Sequence, residues 1–217
     1  MASQRIESVT LTPIPSSYQK ELGKNAYIDN IGTQRLEWVV RARSTSGAEG
    51  ISIANRLMRE GTVEKSLAFL KDALLGREVD DLLGIYDGVV TGAGPGMDRW
   101  YRHNGWLSIL AFDLVGKERG VSAIDLFGGK KHDSVPAYDT TLYFQDFLNP
   151  AKGAQQVGDE AAQAVADGWR ALKLKIGRGG RWMLPEAGMR RDIEVVHSVR
   201  ESVGPDVKIY VDANFGY

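Results

Sequence analysis

The sequence predicts an α+β N-terminal half followed by an α/β half built on a parallel sheet. Three observations predict it. Two strand patterns and then three helix patterns fill the first 130 or so residues. From residue 135 onward, strand and helix patterns alternate, with strands recurring about every 35 to 40 residues, the rhythm of βαβ units. The 25 glycines among 217 residues exceed the usual share of about 7%, which suits many tight strand–helix connections. The boundary is expected near Lys130, giving an α+β part over 1–130 and an α/β part over 131–217.

The elements follow in order. Arg5-Ile-Glu-Ser-Val-Thr-Leu-Thr alternates apolar and polar residues and reads as a strand ending at Pro13. Residues 14–32 mix Pro, Ser, Gly, Asn and Asp without a period and read as a long loop. Arg35 to Arg43 is a second strand, expected to pair antiparallel with the first. Thr62 is a good N-cap for a helix carrying Leu67, Leu70 and Leu74, and Gly76 sits where a C-terminal glycine belongs. Residues 91–96 form a glycine-rich break, and from Asp98 a helix pattern with Trp106, Leu107, Leu110, Ala111 and Leu114 runs to Gly120. Ala123 to Phe127 is a shorter helix stopped by Gly128-Gly129.

In the second half, Val135 to Phe144 is a strand, 151–167 a helix ended by Gly168, and 170–176 a strand. Pro185 opens a helix with Ile193, Val196, Val199 and Val203 on its expected core face, closed by Gly204-Pro205. Residues 207–213 are the last strand.

Bulk numbers narrow the function classes. A net charge of -1 gives no electrostatic footprint for nucleic acid or an anionic membrane. With no cysteine there is neither a disulfide framework nor a thiolate metal site. The first residues carry no apolar signal core, and no apolar run is long enough to span a bilayer, so a cytoplasmic protein is expected.

Two strands carry the chemistry. Arg170-Ala-Leu-Lys173-Leu-Lys175-Ile places both lysines on one strand face, and Lys208-Ile-Tyr-Val-Asp212-Ala-Asn214 places the acid and the amide on one face. A strand covered by helices should read as almost wholly apolar. Polar groups at the C-terminal ends of neighbouring parallel strands sit where barrel enzymes keep their active sites. The bland rival is a half-exposed strand with its polar side in water. The flanking helix patterns and the matching polar positions of the next strand argue against it.

These motifs, with the Phe112-Asp-Leu-Val-Gly-Lys-Glu-Arg-Gly-Val segment and Leu126-Phe-Gly-Gly, resemble the enolase superfamily, in its mandelate racemase and muconate lactonizing enzyme branch. The Lys173-Leu-Lys175-Ile-Gly-Arg-Gly and Val211-Asp212-Ala-Asn214-Phe-Gly-Tyr217 runs carry the likeness most specifically. The resemblance implies a capping domain over a modified TIM barrel, (β/α)7β, of which the first two to three units are present. It implies Mg²⁺ held by carboxylates on three successive strands. Carried over, Lys175 matches the general base and Lys173 the lysine on the substrate carboxylate. Asp212 matches the first metal ligand, and Asn214 a substrate contact. The segment 16–30 matches a specificity loop, through which Tyr18 and Lys20 would reach substrate. The second and third metal carboxylates would lie on strands beyond Tyr217, since eight units plus a cap need about 400 residues.

The implied reaction is removal of the proton next to a carboxylate, through an enediolate, followed by dehydration or racemisation of a hydroxy acid or sugar acid. A cycloisomerase or amino-acid-derivative epimerase of the same branch is the alternative. A different class is a non-catalytic subunit or binding module. A lysine base near neutral pH requires a lowered pKa, which a second lysine, a divalent cation and burial would all favour. The expected partner is a small-molecule carboxylate. An open strand edge at 208–214 would also favour a homo-oligomer. Other features carry less. Gly92 to Gly96 contains a Pro and lacks Gly-Lys-Ser/Thr, so it is no phosphate loop. His103 and His132 lack ligand partners at useful spacing, and His197, within the helix between two strands, reads as packing or surface. Tyr138 and Thr140 read as packing or pocket lining.

Overall fold

The structure is a computed structural model that describes residues 3–54, 62–84 and 104–217. The glycine-rich break at 91–96, the start of the helix pattern at Asp98, and His103 lie outside the described residues. The chain forms two compact units, one of residues 1–16 with 36–133 and one of 17–35 with 134–217. A single cut near Lys130 therefore omits the arm 17–35, which groups with the second unit.

In the first unit, β1 (Ile6–Leu22), β2 (Gly32–Ser44) and β3 (Glu49–Ile53) form a sheet in that order, and β1 and β2 continue into the arm. β2 and β3 are antiparallel, with Val39 opposite Ile53 and Arg43 opposite Glu49. β1 does not stop at Pro13, and the loop expected over 14–32 is strand up to Leu22. Proline lacks the ladder N–H but is tolerated where a strand has no neighbour on one side, and β1 is the edge of this sheet. β3 was not singled out from sequence: its Glu-Gly-Ile-Ser-Ile follows directly on the Ser-Thr-Ser-Gly turn and carries a glycine, which weakens a strand pattern.

α1 (Val63–Leu74) starts at Thr62, whose hydroxyl accepts from the Lys65 amide at 3.4 Å. α2 (Leu107–Arg119) ends at Gly120 in the left-handed conformation, φ 64°, which costs glycine nothing. α2 packs on β3 so closely that a Cβ on Gly50 would stand 2.6 Å from Leu114 Cβ. It also blunts the free edge of β3: Asp113 Oδ2 accepts from the Ile51 amide at 2.8 Å and Lys117 Nζ donates to the Glu49 carbonyl at 2.7 Å. Ile6, Val9, Val40, Leu70, Leu74, Leu107, Leu110 and Leu114 form the core, each worth about 1.5–3 kcal/mol when buried. α3 (Ala123–Leu126) follows, its first turn closed by Ser122 and Asp125.

In the second unit, β4 (Asp139–Leu142), β5 (Ala171–Lys175) and β6 (Lys208–Asp212) form a parallel sheet in that order. The strand expected from Val135 is realised over only four residues. α4 (Ala154–Ala166) and α5 (Pro185–Val203) connect the strands, giving the β-α-β-α-β order. Leu142, Leu172 and Leu174 pack with Val157, Ala161, Val195 and Val199. The core side of α5 keeps Val199, with Val196 and Val203 packed at its margin, but it also takes in Gly188, Asp192, Val195 and Ser198, while Ile193 is 52% exposed. The cause is a backbone contact. Gly188 lies against Gly179 so tightly that a Cβ would sit 2.2 Å from the Gly179 nitrogen, and this fixes which face turns inward. A sequence pattern that ranks only apolar residues cannot see it. Among the described residues no helix is long and apolar enough to cross a membrane.

Candidate active site at the strand ends

β5 alternates as its sequence dictates. Leu172 and Leu174 face the helices and are fully buried, while Lys173 and Lys175 point to the opposite side. In the parallel register Lys175 stands beside Asp212 and Lys173 beside Tyr210, so the two lysines and the acid share a face. Their charged ends converge. Lys175 Nζ donates to Asp212 Oδ2 at 2.7 Å, and Lys173 Nζ lies 3.0 Å from the same oxygen. The Lys175 side chain is 10% exposed and that of Lys173 26%. The lysines are thus neither in bulk water nor turned from the carboxylate.

Aromatic rings line the trio. Lys175 Nζ stands 5.6 Å from the Tyr143 ring centre and Lys173 Nζ 5.9 Å from that of Tyr138, which itself meets Tyr210 at 5.6 Å. Tyr138 therefore borders the site, whereas Thr140 is exposed on β4. Tyr143 was not singled out from sequence. It stands just past β4 in a Leu-Tyr-Phe run that looks like plain core, and only the end of the strand turns it toward Lys175.

The Lys175 and Lys173 ammoniums, helped by the Asn214 amide, hold the Asp212 carboxyl well below the usual carboxylate range despite partial burial. The hydrogen bond to Asp212 raises the Lys173 pKa above the ordinary lysine value, against the opposing effect of burial. At Lys173 an anion at 3.0 Å outweighs desolvation. Burial pushes the Tyr143 hydroxyl up, with the nearby Tyr18, Tyr27 and Asp212 adding and Arg35 opposing.

Asn214 takes a turn conformation, φ 45°, and its amide N–H donates to Asp212 Oδ1 at 3.0 Å. Its Nδ2 reaches Asp212 Oδ2 at 3.4 Å, and its buried Oδ1 has no hydrogen-bond partner among the described residues. The arm residues behave differently. Tyr18 accepts a hydrogen bond from Arg35, whose guanidinium stands 5.3 Å from its ring centre. Lys20 Nζ is paired with Glu160 Oε2 of α4 at 2.7 Å rather than with the trio. Both line a cavity of about 550 Å³ with Asp139, Thr141, Glu160 and Trp169, and neither Lys173 nor Asp212 borders it. His197 borders a different, apolar cavity beside α5.

The donor set bears on the implied Mg²⁺. Asp212 offers a hard carboxylate oxygen at a strand end, which fits one ligand of that ion. Among the described residues no three His, Cys, Asp or Glu side chains stand together as a metal cluster. The chain therefore fits the ion with one carboxylate and not with a full ligand set.

Residues 156–217 match the family described as Enolase C-terminal domain-like. The chain is 34% identical over 111 residues to D-galactarolactone cycloisomerase of Agrobacterium fabrum, covering 51% of this chain and 26% of that one. It is 37% identical over 106 residues to arabinonate dehydratase of Saccharolobus solfataricus, covering 49% and 25%. A solved mandelate racemase/muconate lactonizing protein from Geobacillus sp. Y412MC10, complexed with magnesium and tartrate, superposes with a TM-score of 0.74 at 28% identity, covering 100% of this chain and 53% of that one. The chain thus spans about half the length of that solved relative, and its matched segment about a quarter of the curated ones. The first unit corresponds to the strand-rich cap of such proteins, and the β4-β5-β6 sheet to the opening strands of their modified TIM barrel. Residues 156–217 thus belong to the enolase C-terminal domain-like family, and the chain as a whole is similar to solved proteins of the mandelate racemase and muconate lactonizing branch of the enolase superfamily.

Proposed function

We propose that this chain carries the base-bearing part of a Mg²⁺-dependent active site that removes the proton alpha to the carboxylate of a hydroxy acid or sugar acid. The strand ends that carry the site belong to the start of the barrel, over 131–217, and residues 1–130 form the cap. One observation carries the reading: two ammoniums and one carboxylate meet within 3.0 Å at the C-terminal ends of adjacent parallel strands. Relatives that are sugar-acid dehydratases and a galactarolactone cycloisomerase support the reaction class.

Each residue has a part. Lys173, its pKa raised, stays an ammonium at neutral pH and suits a substrate carboxylate. Lys175, after passing its own ammonium proton to solvent, takes the α-proton, and the C–H electron pair passes into the carboxylate to give the enediolate. Return of a proton to the other face gives racemisation; loss of a β-hydroxyl with a proton gives dehydration. Asp212 would hold Mg²⁺, which would supply positive charge against the charge developing on the carboxylate oxygens. Asn214 Oδ1, an acceptor without a partner, is suited to a substrate hydroxyl. Tyr18, next to Arg35, is the arm residue best suited to the far end of the substrate, and Lys20 would first have to leave Glu160.

The test is α-proton exchange, which needs the base but no later step. The chain is incubated in D₂O with excess Mg²⁺ and galactarate, gluconate, arabinonate or tartrate, and followed by proton NMR. Exchange of at least one acid is expected, reduced to background in Lys175→Met. Equal exchange by the wild type and a folded Lys175→Met variant would reject the reading. A second reading, a carboxylate-binding module without turnover, is favoured by the single metal carboxylate. Tartrate binding that depends on Lys173, with no exchange in any sample, would support it.

A further inference from the structure

We propose that Arg178 is a positioning residue for Lys175: a buried guanidinium at the turn leaving β5 fixes where the base points. The inference deepens the base role proposed for Lys175. Arg178 is 0% exposed, and a group that never loses its charge requires full pairing there. Its Nε donates to Asp146 Oδ2 at 3.1 Å and its Nη2 to Asp146 Oδ1 at 2.6 Å, a two-pronged grip. Its Nη1 donates to Asp192 Oδ1 and reaches toward the Lys175 carbonyl at 3.5 Å. The guanidinium carbon stands 4.1 Å from the Phe144 ring centre.

Asp192 completes the clamp. Its Oδ2 accepts from the amides of Gly177 at 2.8 Å and Arg178 at 3.1 Å, and from the Tyr217 hydroxyl. Arg191 Nη1 stands 3.9 Å from Asp146 Oδ2, so two guanidiniums answer two buried carboxylates. One cluster therefore ties the turn after Lys175 to α5, to the connection after β4, and to the segment after Asp212. There is no slack in the backbone: a Cβ on Gly177 would meet the Ala213 carbonyl oxygen at 2.7 Å. A buried ion cluster of this kind is not required for stability, since apolar replacements of equal volume often serve as well. What it supplies here is a fixed direction for the strand end that bears the base.

The test uses the full 217-residue chain, with trace acetic-anhydride labelling of lysines at neutral pH and peptide mass spectrometry. It reads the ratio of Lys175 to Lys173 labelling, because general loss of stability moves both together. Arg178→Lys keeps a charge but loses the fork, and the ratio is expected to change by about five-fold or more. Asp146→Asn leaves Arg178 on Asp192 and is expected to shift the ratio in the same direction. It carries the test alone if Arg178→Lys does not fold. An unchanged ratio in a folded variant, with only a lower melting temperature, would overturn the proposal. Labelling needs neither substrate nor metal. A shifted ratio without α-proton exchange in the wild type therefore supports positioning while counting against the base role.

Discussion

Replacing Asp212 by Asn removes the one negative charge between two positive ones and leaves a like-charge pair, and the cost follows from the geometry. Both ammoniums lie within 3.0 Å of one Asp212 oxygen, so they are close to each other. At a separation of ~6 Å and an effective dielectric of ~20, their repulsion is about 3 kcal/mol. Lys173 is a quarter exposed, so screening reduces this to about 1–2 kcal/mol. The variant should therefore be about 1–2 kcal/mol less stable at pH 7 in urea unfolding.

The pH dependence is more diagnostic. Lys173 has a raised pKa in the folded protein, so its stabilisation is complete below the unfolded value of about 10.4 and is lost as pH rises through the folded one. In Asp212→Asn the ammoniums repel, and loss of a proton relieves the fold instead. Asp212 has a lowered pKa, so its stabilisation is present above the unfolded value of about 3.9 and is lost as pH falls through the folded one. The gap between wild type and variant should thus be widest near neutrality and close at both ends. A gap that is absent at pH 7, or constant from there into strong alkali, would refute the convergence of the three charges.

Gly188→Ala should cost at least about 1–3 kcal/mol in urea unfolding, because the added Cβ would meet the Gly179 backbone at 2.2–2.4 Å and no flexible side chain can yield. Trp182→Phe keeps a ring beside Lys24 but removes the indole N–H that donates to the Asn25 carbonyl at 2.6 Å. About 1 kcal/mol should be lost, with faster limited proteolysis within 23–31. Calorimetric titration with Mg²⁺ should show no micromolar affinity for this chain, because one carboxylate leaves most of the coordination sphere to water.

Strand alternation alone put Lys173 with Lys175, because side chains alternate with a period of two whatever surrounds the strand, whereas Asn214 meets Asp212 through the turn that follows β6. The caps of α1 and α2, the two βα units and the likeness to the enolase superfamily were legible for the same reason: they rest on local pattern. Tertiary structure decided what depends on neighbours distant in sequence. β1 continues through two prolines because its outer side has no partner strand. Lys20 answers Glu160, 140 residues away. α5 turns Asp192 inward because two glycines meet. Arg178, in sequence one arginine among many, is buried because Asp146 and Asp192 reach it from other elements. Local periodicity fixes which face a residue takes, but only the assembled fold fixes the charge it meets there.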